Sequence, residues 1–242
     1  MEWALAELTS LYPRWNSERA NASGRDSWHR IDDTATGVSV LLGGCSVDLA
    51  AVPNVTHVLS IVSLRRGQKP VQCIADSQPV TLVIDLDDDF DATLHLALPA
   101  ALQFLDAAAS AGGVCYVHCE LGRSRSASVV IAWLMSVRAT RGLSPSLLQC
   151  WALVASRRRI SALNYGFLCR LCDHEASLGG ETATLSLLTY FLMQMHDSSQ
   201  FAYKPPTALE LAAEAAVCEE ETSAAEMTNR QRALRELLAS TL

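Results

Sequence analysis

The segment from residue 114 to residue 137 constrains the fold of this chain more than any other. It begins with VCYVHC, an apolar run that is typical of a buried β-strand. A few residues later comes SASVVIAWLMSV, which is apolar on nearly every side and is typical of a helix at the centre of a domain. A buried strand that passes through a short turn into a buried helix predicts an α/β domain, in which a sheet is covered by helices.

The rest of the sequence extends this pattern. Apolar runs predict three further strands, at 38–42, 57–62 and 81–86. One helix is expected between the strands at 81–86 and 114–119, with Asp91 as its cap. A second helix is opened by Ser144 and Pro145, and a third follows Asn164. We therefore predict an α/β fold with a central mixed sheet of four to five strands flanked by helices.

Three regions are expected along the 242 residues. Residues 1–35 are polar and weakly patterned, and form an N-terminal lead. Residues 36–176 carry the alternating strands and helices and form one domain. Residues 177–242 are rich in Ala and Glu towards their end, and predict a helical, partly solvated C-terminal extension that is available to a protein partner.

Charge and cysteine usage narrow the classes of function. The formal net charge of -7 argues against nonspecific binding to nucleic acid, so any anion site must be local. Eight cysteines are scattered without the spacing of a disulfide framework, and Cys169 and Cys172 form one CxxC without a second pair. The N-terminus has no secretory pattern and no apolar run is long enough to span a bilayer. We expect no metal, no cofactor and no membrane span, and a cytoplasmic or nuclear location.

The turn between the central strand and helix has the composition of an anion site. The amides of residues 120–125 lie at a helix N-terminus, where they converge on an anion and share the positive end of the helix dipole. Gly122 permits the backbone angles of a tight turn, and Arg125 is suited to bidentate binding of phosphate. The same field favours the thiolate form of Cys119, which makes it a candidate nucleophile. Two neighbouring residues are candidates for supporting roles: His118 orders the loop by hydrogen bonding, and Ser126 hydrogen-bonds the sulfur as it leaves.

This loop, HCELGRSRS (118–126), resembles the HCxxGxSRS loop of the dual-specificity branch of protein tyrosine phosphatases. The resemblance extends to LLGG at 41–44 and to the segment from Asn164 to Leu168, and it covers about 36–176. It implies a protein-tyrosine-phosphatase-like fold and a metal-free reaction through a phosphocysteine on Cys119. It also implies that the loop residues bind the substrate phosphate, namely Glu120, Leu121, Gly122, Arg123, Ser124 and Arg125.

The resembling family also uses an aspartate that protonates the leaving oxygen, on a loop after the third strand. The family's usual interval of 31 residues between this aspartate and the cysteine implies that Asp88 has the role here. Asp87 and Asp89 stay open as alternatives, because the sequence presents a run of acids. In the same family an arginine five residues before the asparagine meets a second substrate phosphate, which here is Arg159, although a cation at a helix end is also explained by the helix dipole.

Three functions are compatible with these residues. The first is a protein phosphatase of dual specificity, acting on phosphotyrosine and on phosphoserine or phosphothreonine in a phosphoprotein. The second is a phosphatase of a non-protein substrate such as a phospholipid headgroup, which the acidic Glu120 disfavours because it repels a polyanion. The third is a phosphate-binding scaffold, which has no need of the nucleophile Cys119.

Overall fold

The structure is a computed structural model, and it describes residues 26–71, 79–91, 93–179, 184–186 and 190. Most of the predicted N-terminal lead and most of the predicted C-terminal extension therefore lie outside the described residues. The helical character expected of that extension is among the predictions that lie there.

The described chain contains one mixed sheet of five strands in the order β1-β2-β5-β3-β4. The strands β2, β5, β3 and β4 are mutually parallel, whereas β1 pairs with β2 in the antiparallel sense. Their bounds are Trp28–Asp33 (β1), Val38–Gly43 (β2), Val55–Val62 (β3), Val80–Asp85 (β4) and Val114–His118 (β5). The predicted α/β fold with a mixed sheet is confirmed.

The described residues contain four α-helices, of which the first lies between β4 and β5 and the other three come after β5. A short 3₁₀ helix lies at Leu49–Ala51. The helices are Leu94–Ser110 (α1), Arg125–Thr140 (α2), Leu147–Arg157 (α3) and Tyr165–Ser177 (α4). Helix α2 is buried along most of its length, as its apolar sequence predicts. It packs with the other three helices against one face of the sheet, where alternate strand residues such as Leu42, Leu59 and Val117 join the main core.

The opposite face of the sheet is covered by loop residues. Leu41, Val58 and Tyr116 point to this side, as the alternation of side chains along a strand requires. They pack with residues that follow β2, among them Leu49 and Val52. The sheet is therefore buried on both sides at its centre, which suits a parallel arrangement.

Strand β1 lies within the segment that the sequence analysis assigned to the N-terminal lead. Its WHRIDD sequence carries too few apolar residues to predict a strand, but Asp33 at its end is buried and paired with Arg138 of α2. The guanidinium donates to both carboxylate oxygens, at 2.8 and 3.1 Å. Burial alone would raise the pKa of Asp33, but the hydrogen bonds from Arg138 lower it on balance. This ion pair fixes the edge of the sheet to its central helix.

Two predicted helix caps are wrong. Helix α1 starts at Leu94 after Thr93, so Asp91 does not cap it. Helix α3 is capped by Ser146, whose hydroxyl accepts a hydrogen bond from the Gln149 amide at 3.3 Å. Ser146 lies two residues after the predicted Ser144, and it is the residue whose hydroxyl reaches the first turn. The third predicted cap is correct, because the Asn164 side chain accepts from the amide of Phe167 at 2.7 Å.

Parallel pairing brings the carboxyl ends of four strands to one edge. Strand β5 lies between β2 and β3. The chain after β2 runs over one face of the sheet, whereas the chain after β5 continues into α2 on the other face. A crevice forms where such connections diverge, outside the carboxyl ends of the strands. The loops that follow β3, β4 and β5 all open onto this crevice.

Candidate active site

The loop between β5 and α2 is held in a conformation that requires glycine. Gly122 has a φ of +62°, and a Cβ atom there would overlap the backbone carbonyl of Gly43. Cys119 directly follows β5 and is only 2% exposed, while α2 begins at Arg125. The amides between them therefore lie at the N-terminus of a buried helix, as predicted.

The sulfur of Cys119 and the ring of His118 have separate partners. The Ser126 hydroxyl donates to the sulfur at 3.2 Å. The Nε2 atom of His118 accepts from the Val71 amide at 3.3 Å and lies 2.7 Å from the Ser60 hydroxyl. Nδ1 therefore carries the proton, and donates it to the Cys119 carbonyl at 3.2 Å. Burial lowers the pKa of His118 to about 4, so the ring is neutral at physiological pH and orders the loop.

The three candidate aspartates after β4 have different surroundings. Asp88 accepts hydrogen bonds at one carboxylate oxygen, Oδ1, from the Ser124 hydroxyl at 2.7 Å and from the Asn164 amide at 2.6 Å. Its other oxygen, Oδ2, lies 3.8 Å from Nε of Arg125. Asp88 thus lies against the loop that carries Cys119.

Asp87 and Asp89 are instead paired with arginines that follow β3. Asp87 contacts Arg65 at 2.6 Å and accepts from Ser63, and the Ser63 hydrogen bond is the main cause that lowers its pKa. Asp89 accepts two hydrogen bonds from Arg66, at 2.7 and 2.9 Å. Both arginines of the loop after β3, Arg65 and Arg66, are therefore bound to these two acids.

The guanidinium of Arg125 is buried and oriented by two acceptors. Its Nη1 atom donates to Gln68 at 2.7 Å and to the Leu86 carbonyl at 3.3 Å. Its Nε atom is buried and makes no hydrogen bond to any described residue. Nη1 is thus held by the protein, and Nε is left with an unused donor beside the loop.

Gln68 is a site residue that the sequence analysis missed. It lies after β3, and its side-chain oxygen accepts from Arg125 while its side-chain nitrogen donates to Glu120 at 2.6 Å. One side-chain amide thus bridges a cation and an acid of the loop that carries Cys119. A lone glutamine 51 residues before the cysteine gives no signal in a single sequence.

Arg158 is the second residue that was missed. It is fully buried, and it donates to the carbonyls of Gly122 at 2.6 Å and Leu121 at 2.7 Å. Burial is the main cause that lowers its pKa to about 10, so the guanidinium is charged at neutral pH. The neighbouring Arg159, which the resemblance assigned to a second phosphate, is half-buried and does not line the cavity at Cys119.

The predicted phosphate-binding residues other than Gly122 and Arg159 line one open cavity at the edge of the sheet. It is lined by Cys119, Glu120, Leu121, Arg123, Ser124 and Arg125 from the loop, and by Ser63, Arg66, Gln68, Asp88, Ala162 and Asn164 from its surroundings. Gly122, His118 and Ser126 lie beneath this lining. Among the residues that the structure describes, no cluster of three or more potential ligands could hold a metal ion, and none of the helices is long and apolar enough to cross a membrane.

A buried cysteine, an arginine six residues later and a cradle of helix N-terminal amides define the class of cysteine-dependent phosphatases. The model of the dual specificity phosphatase catalytic domain matches residues 44–177, which is more than half of the chain. The chain belongs to the dual specificity phosphatase family. The resemblance inferred from the loop is confirmed.

Individual relatives agree with this assignment. The chain is 33% identical over 125 residues to dual specificity protein phosphatase 1 of Arabidopsis thaliana, covering 52% of this chain and 58% of that protein. It is 32% identical over 133 residues to dual specificity protein phosphatase 1B of the same plant, covering 55% and 73%. Among solved structures, a variant of human DUSP28 is 31% identical with a TM-score of 0.50, covering 59% of this chain and 93% of that one. The chain thus spans little more than half the length of the first of these relatives.

Proposed function

We propose that this protein hydrolyses phosphotyrosine and phosphoserine or phosphothreonine in protein substrates, through a phosphocysteine on Cys119. The observation that carries the proposal is the convergence of Cys119, Arg125 and Asp88 on a single cavity. A nucleophile, an oxyanion-binding fork and a proton donor are the three groups that hydrolysis of a phosphate monoester through a covalent intermediate requires.

In the first step the sulfur of Cys119 forms a bond to phosphorus as the bond from phosphorus to the substrate oxygen breaks. Asp88 gives its proton to that leaving oxygen. Ser124 and Asn164 both donate to Oδ1 of Asp88, so Oδ2 is the oxygen that carries the proton. Asp87 and Asp89 are less suited to this role, because their carboxylates are bound to Arg65 and Arg66.

In the second step Asp88 removes a proton from water, the water oxygen bonds to phosphorus, and the sulfur leaves as a thiolate. The Ser126 hydroxyl, 3.2 Å from the sulfur, donates to this leaving thiolate. The buried Nε of Arg125 supplies a donor to the equatorial oxygens in both steps. His118 takes no proton, because its ring stays neutral and is bound on both sides.

A protein substrate is favoured over a polyanionic lipid headgroup by the position of Glu120. Its carboxylate is held by Gln68 on the wall of the cavity, next to the nucleophile. A headgroup with several phosphates would bring further negative charge close to this carboxylate. A phosphorylated side chain brings a single phosphate into the cavity and leaves the rest of its chain outside.

The test compares phosphate release from phosphotyrosine and phosphothreonine peptides with release from vesicles that contain a phosphoinositide. We expect activity on both peptides, at least about 10-fold above that on vesicles, and its loss in Cys119→Ser by the factor of about 10⁴ or more expected on removal of a nucleophile. Cys45→Ser is the matched control, because Cys45 lies outside the cavity lining and contacts the loop through its backbone. Activity that survives Cys119→Ser would refute the mechanism, and a preference for vesicles would refute the substrate class.

A further inference from the structure

Tyr190 lies beyond the family match, which ends at residue 177, yet it is part of the core. Its side chain is 1% exposed, and its ring makes edge-to-face contacts with Trp151 of α3 and Tyr165 of α4. The hydroxyl accepts a hydrogen bond from the Leu163 amide at 2.5 Å and donates to the Leu163 carbonyl at 3.0 Å. One hydroxyl thus satisfies the peptide groups on both sides of a single residue.

Leu163 is the residue directly before Asn164, and Asn164 connects three parts of the site. Its side-chain oxygen caps α4. Its backbone amide donates to the Ser124 hydroxyl at 3.3 Å, and its side-chain nitrogen donates to Asp88 at 2.6 Å. Tyr190 therefore holds the peptide between Leu163 and Asn164 through its carbonyl, and Asn164 is the residue that is hydrogen-bonded to Asp88.

The chain around Thr184 has its own anchor on the core. Glu175 of α4 is 1% exposed, and its carboxylate accepts from the Thr184 amide at 2.8 Å and from the Thr184 hydroxyl at 2.6 Å. The same carboxylate accepts from the Leu147 amide at 2.7 Å, at the start of α3. Leu185 is fully buried. These contacts fix the chain between α3 and α4 a few residues before Tyr190.

We propose that Tyr190 is a positioning residue for Asp88, so that the catalytic site is completed by a segment outside the family's domain. The proposal rests on the proposed function, in which Asp88 is the proton donor. The Leu163 amide and carbonyl are both buried, and they would lose their hydrogen-bond partner without the Tyr190 hydroxyl. Because unsatisfied buried groups are costly, we expect the peptide before Asn164 to rotate so that they form other hydrogen bonds. Rotation moves the Asn164 side chain, and a shift of about 1 Å in a catalytic group is enough to reduce the rate substantially.

The experiment uses leaving groups of different quality on the full chain. A general acid matters most when the leaving oxygen is strongly basic, so phenyl phosphate needs Asp88 more than para-nitrophenyl phosphate does. We expect Tyr190→Phe to lower kcat/KM by about 10-fold for phenyl phosphate and by less than about 3-fold for para-nitrophenyl phosphate, a fraction of the full contribution of a general acid. We use kcat/KM because it includes only the steps up to departure of the leaving group, whereas kcat also includes the hydrolysis of the phosphocysteine that both substrates share. Rates are expressed per reactive Cys119, counted as the part of its alkylation by iodoacetate that saturating inorganic phosphate prevents. Phosphate does not protect the thiols of unfolded protein, which are therefore not counted.

Three further variants complete the design. Asp88→Asn should show the same dependence on the leaving group with a larger loss. Thr184→Val removes the hydrogen bond of the Thr184 hydroxyl to Glu175 without changing Tyr190, and it should show the same dependence on the leaving group to a smaller extent. Val137→Ala removes buried volume near the far end of α2, and its rates per reactive cysteine should keep the wild-type ratio between the two substrates.

The outcomes separate the two proposals. If Asp88→Asn shows no dependence on the leaving group, the assignment of the proton donor fails. If Asp88→Asn shows this dependence and Tyr190→Phe does not, or if Tyr190→Phe lowers kcat/KM equally for both substrates, the role of Tyr190 as a positioning residue is overturned while the proposed function stands. Should Tyr190→Phe yield no folded protein, Thr184→Val decides the question by the same ratio.

Discussion

Arg158→Lys is the substitution whose effect the structure defines most fully. The guanidinium of Arg158 donates to the carbonyls of Leu121 and Gly122 beneath the phosphate loop, and also to the Ser27 carbonyl at 3.1 Å and to Nδ1 of His29 at 3.0 Å. Lysine keeps the charge but presents its donors from one atom. It cannot reach the two loop carbonyls and the two partners near β1 from the same position.

The expected loss of stability in Arg158→Lys follows from the number of buried acceptors that lose their hydrogen-bond donor. A buried polar group left without a hydrogen bond costs about 1–3 kcal/mol, so two such groups reduce the free energy of unfolding by about 2–6 kcal/mol. Phosphate binding should weaken as well, because the loop amides are no longer held in place. If about 1.4 kcal/mol of the loss falls on the loop in its binding conformation, the affinity falls about 10-fold.

Two measurements check this prediction. Urea denaturation gives the free energy of unfolding, and competitive inhibition of para-nitrophenyl phosphate hydrolysis by inorganic phosphate gives the affinity of the loop. Arg157→Lys is the matched control, because Arg157 is exposed at the end of α3 and a surface substitution changes stability by less than about 0.5 kcal/mol. The reasoning is refuted if Arg158→Lys resembles Arg157→Lys in both measurements.

Three further predictions concern other contacts. Gln68→Leu removes an acceptor of Arg125 and should raise the inhibition constant of phosphate about 10-fold, the equivalent of one hydrogen bond to a charged group; an unchanged constant would exclude a role for Gln68 in orienting the fork. Burial lowers the pKa of His118 to about 4 in the folded protein, so between pH 6.5 and pH 4 the unfolded chain binds a proton that the folded chain does not. The free energy of unfolding should therefore fall by about 2 kcal/mol between pH 7 and pH 5 because of this residue. Urea denaturation at both pH values should show a smaller fall for His118→Asn. Asp33→Ala leaves Arg138 buried without its carboxylate and should destabilise the fold by about 3–5 kcal/mol in urea, and a loss below 1 kcal/mol would contradict this.

The sequence predicted the parts of the fold and site that are formed by residues close together in the chain. The four strands of the parallel part of the sheet are short apolar runs bounded by polar residues, and each was expected within two residues of its observed ends. The loop at Cys119 was predicted for the same reason, since strand, turn and helix are contiguous. Strand β1 was not predicted, because it is stabilised by pairing with β2 and by the contact of Asp33 with Arg138, and its own sequence is mostly polar.

The proposed proton donor, Asp88, shows what adjacent residues alone cannot predict. Asp87, Asp88 and Asp89 are identical in type and adjacent in sequence, so their composition alone could not separate them. In the structure the outer two are bound to arginines from the loop after β3, and Asp88 is bound to Ser124 and Asn164. Each of these partners lies more than 20 residues away in the chain, and their arrival at the same edge of the sheet is a consequence of strand order.

A loop that binds an anion through its backbone amides also needs hydrogen-bond donors on the side that faces away from the anion. A trans peptide holds its N–H and its C=O in opposite directions, so when amides face the anion their carbonyls face the protein interior. Those carbonyls must find donors there. The carbonyls of Leu121 and Gly122 point at Arg158, and the amides of the same two peptides therefore point away from it. Arg158 is suited to this place because a guanidinium has several donors in a rigid plane and no acceptor.

The requirement for such a donor can be read from sequence, but its identity cannot. Residues 157–159 are three consecutive arginines, and the helix ends at Arg157. Arg158 has an extended backbone, with φ of -121° and ψ of 86°, so the regular helical spacing no longer sets the direction of the next side chain. Arg157 is consequently exposed, Arg158 reaches beneath the loop, and Arg159 is half-buried away from the cavity. The resemblance assigned Arg159 to a second substrate phosphate by counting back from Asn164. The contact with the loop at Cys119 is a different role, and the point at which the helix ends decides which of the three arginines makes it.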